Sequence, residues 1–199
     1  MTAVVTLENN LLTVGEDRRL KCWRLQAANS EVSLEQQELA ASLFTSKPIG
    51  VALLKSREKV WLWLGMEDGT LVRHEVLGTD SVTLGPRLEV ATARQGLVRV
   101  SGAGNTLLAE HNGGQVSLWS VKGSEVGQWS KQSTAAVIWG EGDDLRLILG
   151  GSRGLEKLIP GAAACSQVLG GHHGPVTGLL GVPGALVSSS RDGRVRLWP

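Results

Sequence analysis

Three residues near the end of the sequence, His172, Ser188 and Asp192, are of the types that make up a serine-hydrolase triad. In such a triad the serine attacks a carbonyl group, the histidine accepts the serine proton, and the carboxylate orients the histidine ring. This chemistry needs an exposed serine beside an oxyanion hole. Ser188 instead lies in a strand-like run and lacks the Gly-x-Ser-x-Gly turn that presents a nucleophile. We therefore predict a structural role for the three residues and no enzymatic activity.

Metal-binding and phosphate-binding patterns are also weak. Cys165, His172 and His173 could supply metal ligands, but adjacent histidines of an extended chain point to opposite faces and no second ligand pair supports them. The glycine-rich segment 101–105 is not followed by the Gly-Lys-Ser/Thr of a phosphate-binding loop, so we predict a turn there. We expect neither a metal nor a cofactor.

The overall composition is that of a folded protein without a strong electrostatic footprint. The 199 residues are 42% hydrophobic and carry a formal net charge of +1, so bulk charge does not indicate nucleic acid or an anionic membrane as a partner. No apolar run approaches the roughly 20 residues that span a bilayer. The first ten residues lack the basic and apolar regions of a signal peptide. We expect no contact with a membrane.

The cysteine content indicates the compartment. Cys22 and Cys165 are too few for a disulfide framework, and the sequence has no Cys-x-x-Cys pair. Free, buried thiols are typical of proteins in a reducing environment. We therefore expect the protein to be cytoplasmic, nuclear or both.

The segment 185–198 holds the clearest structural pattern. An apolar run leads into Arg191-Asp192-Gly193, and a second, alternating run ends on Trp198. Asp-Gly between two such runs predicts a tight hairpin, because both residues tolerate the left-handed backbone that such a turn needs.

The same order of run, turn and run recurs along the chain. The turn positions are separated by 51, 45, 40 and 39 residues and fall at Asp17, Asp68, Gly113, Arg153 and Asp192. This spacing brackets the about 40–45 residues of a four-stranded blade. The copies cover approximately residues 1–25 (partial), 26–76, 77–119, 120–159 and 160–199. We therefore predict a single repeat region over the whole chain.

The last copy resembles one repeat of the WD-repeat family, the unit of a β-propeller blade, because a Gly-His pair precedes two strands, an Asp turn and a closing Trp. The resemblance implies an all-β propeller of about five four-stranded blades. The strand count predicts that the fifth blade lacks its outer strand. Either the ring closes with five blades, or the chain forms an open arc or part of a larger ring, with further blades supplied by a longer chain or another subunit. Its end also resembles that of large multi-repeat proteins.

The resemblance further implies a hydrogen-bonded network of Asp, His, Ser or Thr and Trp in each blade, which would satisfy a buried carboxylate. The last copy has the complete set, namely His172 (or His173), Ser188, Asp192 and Trp198. Parts of the set occur elsewhere, as Thr13, Asp17 and Trp23, as Asp68, and as Trp119. In the third and fourth copies, where the Asp is missing, we expect no such network and greater reliance on apolar packing.

One stretch fits the repeat poorly. Residues 26–37 are polar and free of glycine, which allows a short helix or, more in keeping with the repeat, an insertion. In the second interpretation the outer strand of the first blade would follow at 39–43.

The function implied by the family is a protein-interaction scaffold. Its partners would contact the residues just before the turn Asp on the top face, which are Glu16, Glu67, Asn112 and Arg191. An alternative is a subunit of a ribonucleoprotein that contacts RNA through the basic last third, where Arg191, Arg194 and Arg196 cluster.

Overall fold

The computed structural model describes residues 2–28, 31–37, 39, 44–92, 96–130, 133–140, 145–152, 154–159, 165–182 and 184–199. Within these ranges the regular elements are β-strands, as predicted. They are β1 Ala3–Leu7, β2 Asn10–Val14, β3 Leu20–Ala28, β4 Glu31–Gln37, β5 Pro48–Lys55, β6 Val60–Met66, β7 Thr70–Gly78, β8 Thr83–Leu84, β9 Leu88–Thr92, β10 Leu97–Ala103, β11 Thr106–His111, β12 Gln115–Ser120, β13 Glu125–Ser130, β14 Ala135–Trp139, β15 Arg146–Gly150, β16 Gly154–Leu158, β17 Cys165–Gly170, β18 Val176–Val182, β19 Ala185–Ser190 and β20 Val195–Trp198. No helix among the described residues is long and apolar enough to cross a membrane.

The strands pair in chain order into five antiparallel sheets, here called blades 1 to 5. They comprise β1–β4, β5–β9, β10–β13, β14–β17 and β18–β20. In blade 2 the short β8 and the longer β9 both pair with β7, and blade 5 has three described strands. Each full sequence copy therefore combines the outer strand of one blade with the inner three strands of the next.

The polar stretch after β3 corrects one prediction. β3 continues to Ala28 and pairs with β4, so residues 26–37 form the outer hairpin of blade 1 and neither a helix nor an insertion. The outer strand is therefore not at 39–43. Leu39 is buried with Phe44 in the core between blades 1 and 2, and 40–43 lie outside the described residues. An edge strand can be polar because the backbone, and not the side chains, makes the pairing.

Four apolar clusters hold the blades together, one at each junction between consecutive blades. The inner strands follow one another in contact, β1 with β5, β5 with β10, β10 with β14 and β14 with β18. β6 shows why its sequence is apolar without alternation. Leu62 faces the cluster shared with blade 1, and the neighbouring Trp63 faces the cluster shared with blade 3. A sheet buried on both faces requires such a run.

Four-residue turns join the second and third strands of four blades. In each turn the fourth residue donates its backbone N–H to the carbonyl of the first: Arg18 to Gly15 (3.1 Å), Gly69 to Met66 (3.0 Å), Gly114 to His111 (3.2 Å) and Gly193 to Ser190 (3.1 Å). The fourth residue has a positive φ, from 60° to 96°. In the Asp192-Gly193 turn only Gly193 is left-handed. Asp192, which tolerates this conformation, does not adopt it, because the four-residue turn needs a positive φ at its last residue.

Blade 1 places Arg18, with φ 60°, where the other three turns have glycine. A left-handed backbone costs a non-glycine residue about 1–2 kcal/mol, and the Arg18 guanidinium makes one exposed bond to the Thr45 carbonyl (3.2 Å). We expect Arg18→Gly to stabilise the protein by about 0.5–1 kcal/mol, measured by chemical denaturation. The control is Arg19→Gly, since Arg19 has no positive φ and should lose stability. Stabilisation by both variants, or by neither, would refute the strain at Arg18.

Candidate functional site

The structure brings His172, Ser188, Asp192 and Trp198 together in blade 5. His172 Nδ1 lies 3.0 Å from Asp192 Oδ2, and His172 Nε2 lies 2.7 Å from Ser188 Oγ. Trp198 Nε1 donates to the same Ser188 Oγ at 2.8 Å. Because the carboxylate can only accept, Nδ1–H donates to Asp192. In the tautomer that carries its proton on Nδ1, Nε2 accepts the Ser188 hydroxyl proton. The four side chains thus form one directed chain of hydrogen bonds, from indole to carboxylate.

Backbone groups complete the surroundings of Asp192. The His173 N–H donates to Oδ2 at 2.9 Å, and the Arg194 N–H donates to Oδ1 at 3.0 Å. The bond from the His173 backbone, together with those from the His172 ring and the Arg194 backbone, holds the pKa of Asp192 well below its usual range, although desolvation acts in the opposite direction. Asp192 therefore ties the turn, the strand before it and the loop that carries His172 to one another.

The hydrogen-bond order from Asp192 through His172 to Ser188 is that of a hydrolase triad, but Ser188 is not placed for attack. Its side chain is 1% exposed, and its oxygen is occupied by the Trp198 indole at 2.8 Å. A substrate carbonyl has no path to this oxygen while blade 5 packs on blade 4. The groups thus satisfy one another in the interior.

The partial sets in blades 1 and 2 assemble only in part. In blade 1, Trp23 Nε1 donates to Thr13 Oγ1 at 2.9 Å, whereas Asp17 is exposed and pairs with Lys21 Nζ at 2.7 Å. In blade 2, Asp68 accepts the Thr70 backbone N–H at 2.9 Å. Asp17 thus supports its own turn, whereas Asp68 also accepts a hydrogen bond from Ser46 in the segment before β5.

His74, which stands in blade 2 where the Trp would be, is buried and donates from Nδ1 to the Gly85 carbonyl at 3.0 Å. Burial lowers its pKa. The second blade therefore replaces the indole bond with a bond between a neutral imidazole and the backbone.

Blade 3 contains a network that the sequence reasoning missed. His111 Nε2 lies 2.8 Å from Ser117 Oγ, and Trp119 Nε1 donates to that oxygen at 2.9 Å. Despite Gly113 at the Asp position, a His, a Ser and a Trp still meet, so the expectation that blade 3 lacks such a network was wrong. The serine comes from β12, two residues before Trp119, and not from the preceding strand as Ser188 does in blade 5. Only the alternation of side chains along β12 could have signalled this substitution.

The predicted contact residues Glu16, Glu67, Asn112 and Arg191 occupy the second position of the four equivalent turns and are exposed. Three of the turns are fixed to the start of their own blade by the backbone, through bonds from Glu67 to Lys47 (2.8 Å), from Asn112 to Gly96 (2.8 Å) and from Arg191 to Pro175 (2.9 Å). The four side chains therefore line one edge of the molecule.

Two sheet faces are left open at the ends of the row. The first, here called the blade 1 face, is lined by Val4, Leu11, Trp23 and Leu34 and borders a groove of about 740 Å³. The second, here called the blade 5 face, carries Leu180, Val187, Val195 and Leu197. Leu180, Val187 and Leu197 are direct cross-strand neighbours. Both faces are apolar surfaces of the kind that the inner blades bury.

Comparison with known proteins agrees with this architecture. Residues 163–199 match the family model of the WD domain, G-beta repeat. Sqt1 from Chaetomium thermophilum aligns over 98% of this chain and 55% of its own, with a TM-score of 0.72 and 15% identity. The chain has the fold of a WD40 β-propeller.

Two further solved structures share the fold. The C-terminal WD40 domain of Sif2 aligns over 99% of this chain and 57% of its own, with a TM-score of 0.68 and 18% identity. The computationally designed Ika4 protein aligns over 81% of this chain and 97% of its own, with a TM-score of 0.59 and 20% identity. The chain thus spans a little over half of the Sqt1 and Sif2 chains. No curated protein matches it in sequence.

Removal of the Ser188 hydroxyl tests the network of this propeller blade. In Ser188→Ala the buried His172 Nε2 and the Trp198 indole N–H both lose their partner, and we expect a loss of about 1–3 kcal/mol in the free energy of unfolding, measured by chemical denaturation. The matched control is Ser189→Ala. The Ser189 hydroxyl lies 3.0 Å from that of the exposed Thr177, and its removal should change the free energy of unfolding by less than about 0.5 kcal/mol. Equal losses in the two variants would show that the network does not stabilise blade 5.

The lowered pKa of Asp192 predicts a dependence on pH. Below about pH 4 the unfolded carboxyl takes up a proton that the folded one excludes, so the stability contributed by ionised Asp192 is present above this pH and is lost as the pH falls towards the folded pKa. Asp192→Asn should therefore be less stable than the wild type near neutral pH, and the difference should shrink as the pH falls from about 5 to about 2.5. Denaturation curves across this range measure it; a constant difference would refute the prediction.

Proposed function

We propose that this chain is a non-catalytic scaffold that binds other proteins as a subunit or part of a larger assembly. WD40 propeller domains generally act as protein-interaction scaffolds. The observation that carries the proposal for this chain is the open blade 1 face, where Val4, Leu11 and Trp23 border the groove. Contiguous apolar surface that is left exposed typically marks an interaction site.

The exposed turn edge would supply the polar part of such a site. Glu16, Glu67, Asn112 and Arg191 recur at equivalent positions, and Glu16 also forms an ion pair with Lys47 at 3.1 Å. Their mixed charge favours a partner with a polar, mixed surface over one with a uniform charge. Residues on rigidly anchored turns can vary without disturbing the fold, which suits them to recognition.

One assembly to test is a ribonucleoprotein particle, such as one that contains a telomerase-associated vault component. RNA is then the alternative partner, and the exposed Arg191 and Arg194 in the last turn favour it. We place the chain in the cytoplasm or nucleus, in keeping with the buried free thiol of Cys22.

Capture of partners from a cell lysate tests the scaffold function. We expect immobilised wild type to retain defined proteins after nuclease treatment and at raised salt, because salt screens interactions between charges and not apolar contacts. Leu34→Glu, which puts a charge on the blade 1 face, should lose them. The matched control is Leu77→Glu, an equally apolar position that is exposed on β7.

The outcomes separate the two candidate partners. Binding that disappears with nuclease or falls steeply with salt would instead identify RNA and refute the protein scaffold. Capture that is unaffected by Leu34→Glu and by changes at the turn edge would refute these surfaces as the site.

A further inference from the structure

The blade 1 face repeats, position by position, the face by which blade 5 packs on its neighbour. Leu11 pairs with Trp23 across β2 and β3, as Leu186 pairs with Trp198 across β19 and β20. In both blades the indole donates to the hydroxyl two residues after the leucine, at 2.9 Å to Thr13 and 2.8 Å to Ser188. The two faces are therefore equivalent in register and in the hydrogen bond that the indole donates.

What differs is the neighbour. In blade 5 this face is covered by blade 4, so that Leu186 is buried in the shared cluster and Trp198 packs against it. Blade 4 reaches across with Trp139, whose Nε1 donates to the Val182 carbonyl at 3.4 Å, and with Thr134, whose hydroxyl donates to the Val176 carbonyl at 2.6 Å. Among the described residues no blade covers this face of blade 1, and Leu11 and Trp23 line the groove instead.

The blade 4 face at this junction also has an equivalent on blade 5, which lies exposed. On blade 4, Leu155 and Ile148 cover blade 5 and are buried. By strand register, Leu155 corresponds to Val195 and Ile148 corresponds to Val187 on blade 5. Leu155 is fully buried, whereas Val195 is 72% exposed. The blade 5 face thus has the apolar side chains that could cover a further blade, and none of the described residues packs against it.

We propose that the blade 5 face of one molecule binds the blade 1 face of a second copy of this chain, head to tail. The junction between blades 4 and 5 shows the packing that the intermolecular contact would repeat. This inference rests on the proposed function and names a partner for the same surface. Because the two faces differ, the contact is heterologous, and repeated addition builds a closed ring or an open chain of molecules.

The first part of the test is the mass of the protein in solution. Light scattering after gel filtration, over about 1 to 300 µM, should show an average mass that rises with concentration from the 21.1 kDa of one chain. Val195→Arg and Leu34→Glu, which place a charge on the blade 5 face and the blade 1 face, should each weaken association at least about tenfold. The control is Val168→Arg on the outer strand of blade 4, because Val168 is 69% exposed and Val195 is 72% exposed.

Mixing the two face variants gives the decisive result. Val195→Arg keeps a working blade 1 face, and Leu34→Glu keeps a working blade 5 face. Their mixture should therefore form a dimer of one molecule of each and nothing larger, at concentrations where each variant alone is monomeric. Melting curves establish that each variant is folded, and Leu180→Arg replaces Val195→Arg if that variant is not.

Two results would overturn the proposal. Wild type that stays at the mass of one chain throughout the concentration range has no head-to-tail contact. Dimers formed by either variant alone would show that like faces pair. If wild type stays monomeric but Leu34→Glu still abolishes the capture of other proteins, this inference fails and the proposed function stands.

Discussion

Every blade in this protein is a thin sheet that must be covered on both sides. Three to five short strands cannot form a core on their own, because successive side chains point to opposite faces and neither face closes on itself. The apolar area is therefore buried between blades, in the four clusters at the junctions. Stability is then largely a sum over neighbouring pairs, as in other repeat proteins. The first and last faces of any such row are open unless something covers them.

The hydrogen-bond networks are secondary to this packing, and they vary accordingly. Blade 5 uses the complete chain of Trp, Ser, His and Asp, blade 3 forms a shorter one through Ser117, and blade 1 keeps only the bond from Trp23 to Thr13. What these three blades share is that the indole N–H on the third strand donates to a hydroxyl. An indole packed against apolar neighbours is more stable with a partner for that group, and any nearby hydroxyl can serve.

The same constraint connects the fold to its use. A row of blades presents a turn edge, where exposed side chains can be exchanged without disturbing the fold, and two end faces, where apolar side chains are exposed. The edge is suited to selective polar contacts, and the end faces are suited to contacts that bury area. The proposed scaffold function needs no reactive group, and the triad-like residues of blade 5 hold its first, second and third strands and their turn together.

The sequence determined the strands, their order and the fold class, because alternating or continuous apolar runs and Asp-Gly turns act locally. It also determined that the end of the chain carries a full set of His172, Ser188, Asp192 and Trp198. The sequence pattern placed the outer strand of blade 1 wrongly, at 39–43 instead of at β4. An edge strand pairs through its backbone and needs no apolar pattern. The sequence pattern likewise missed the partnership of His111 with Ser117.

Only the tertiary structure decided which side chains meet and which faces stay open. Whether the indole of a Trp bonds a hydroxyl on its own strand or on the preceding strand depends on the strand register. Leu11 and Leu186 look alike in sequence, yet one lines an open groove and the other is buried. Burial is a property of what packs against a residue, and the neighbouring blade is distant in sequence from the residue it covers.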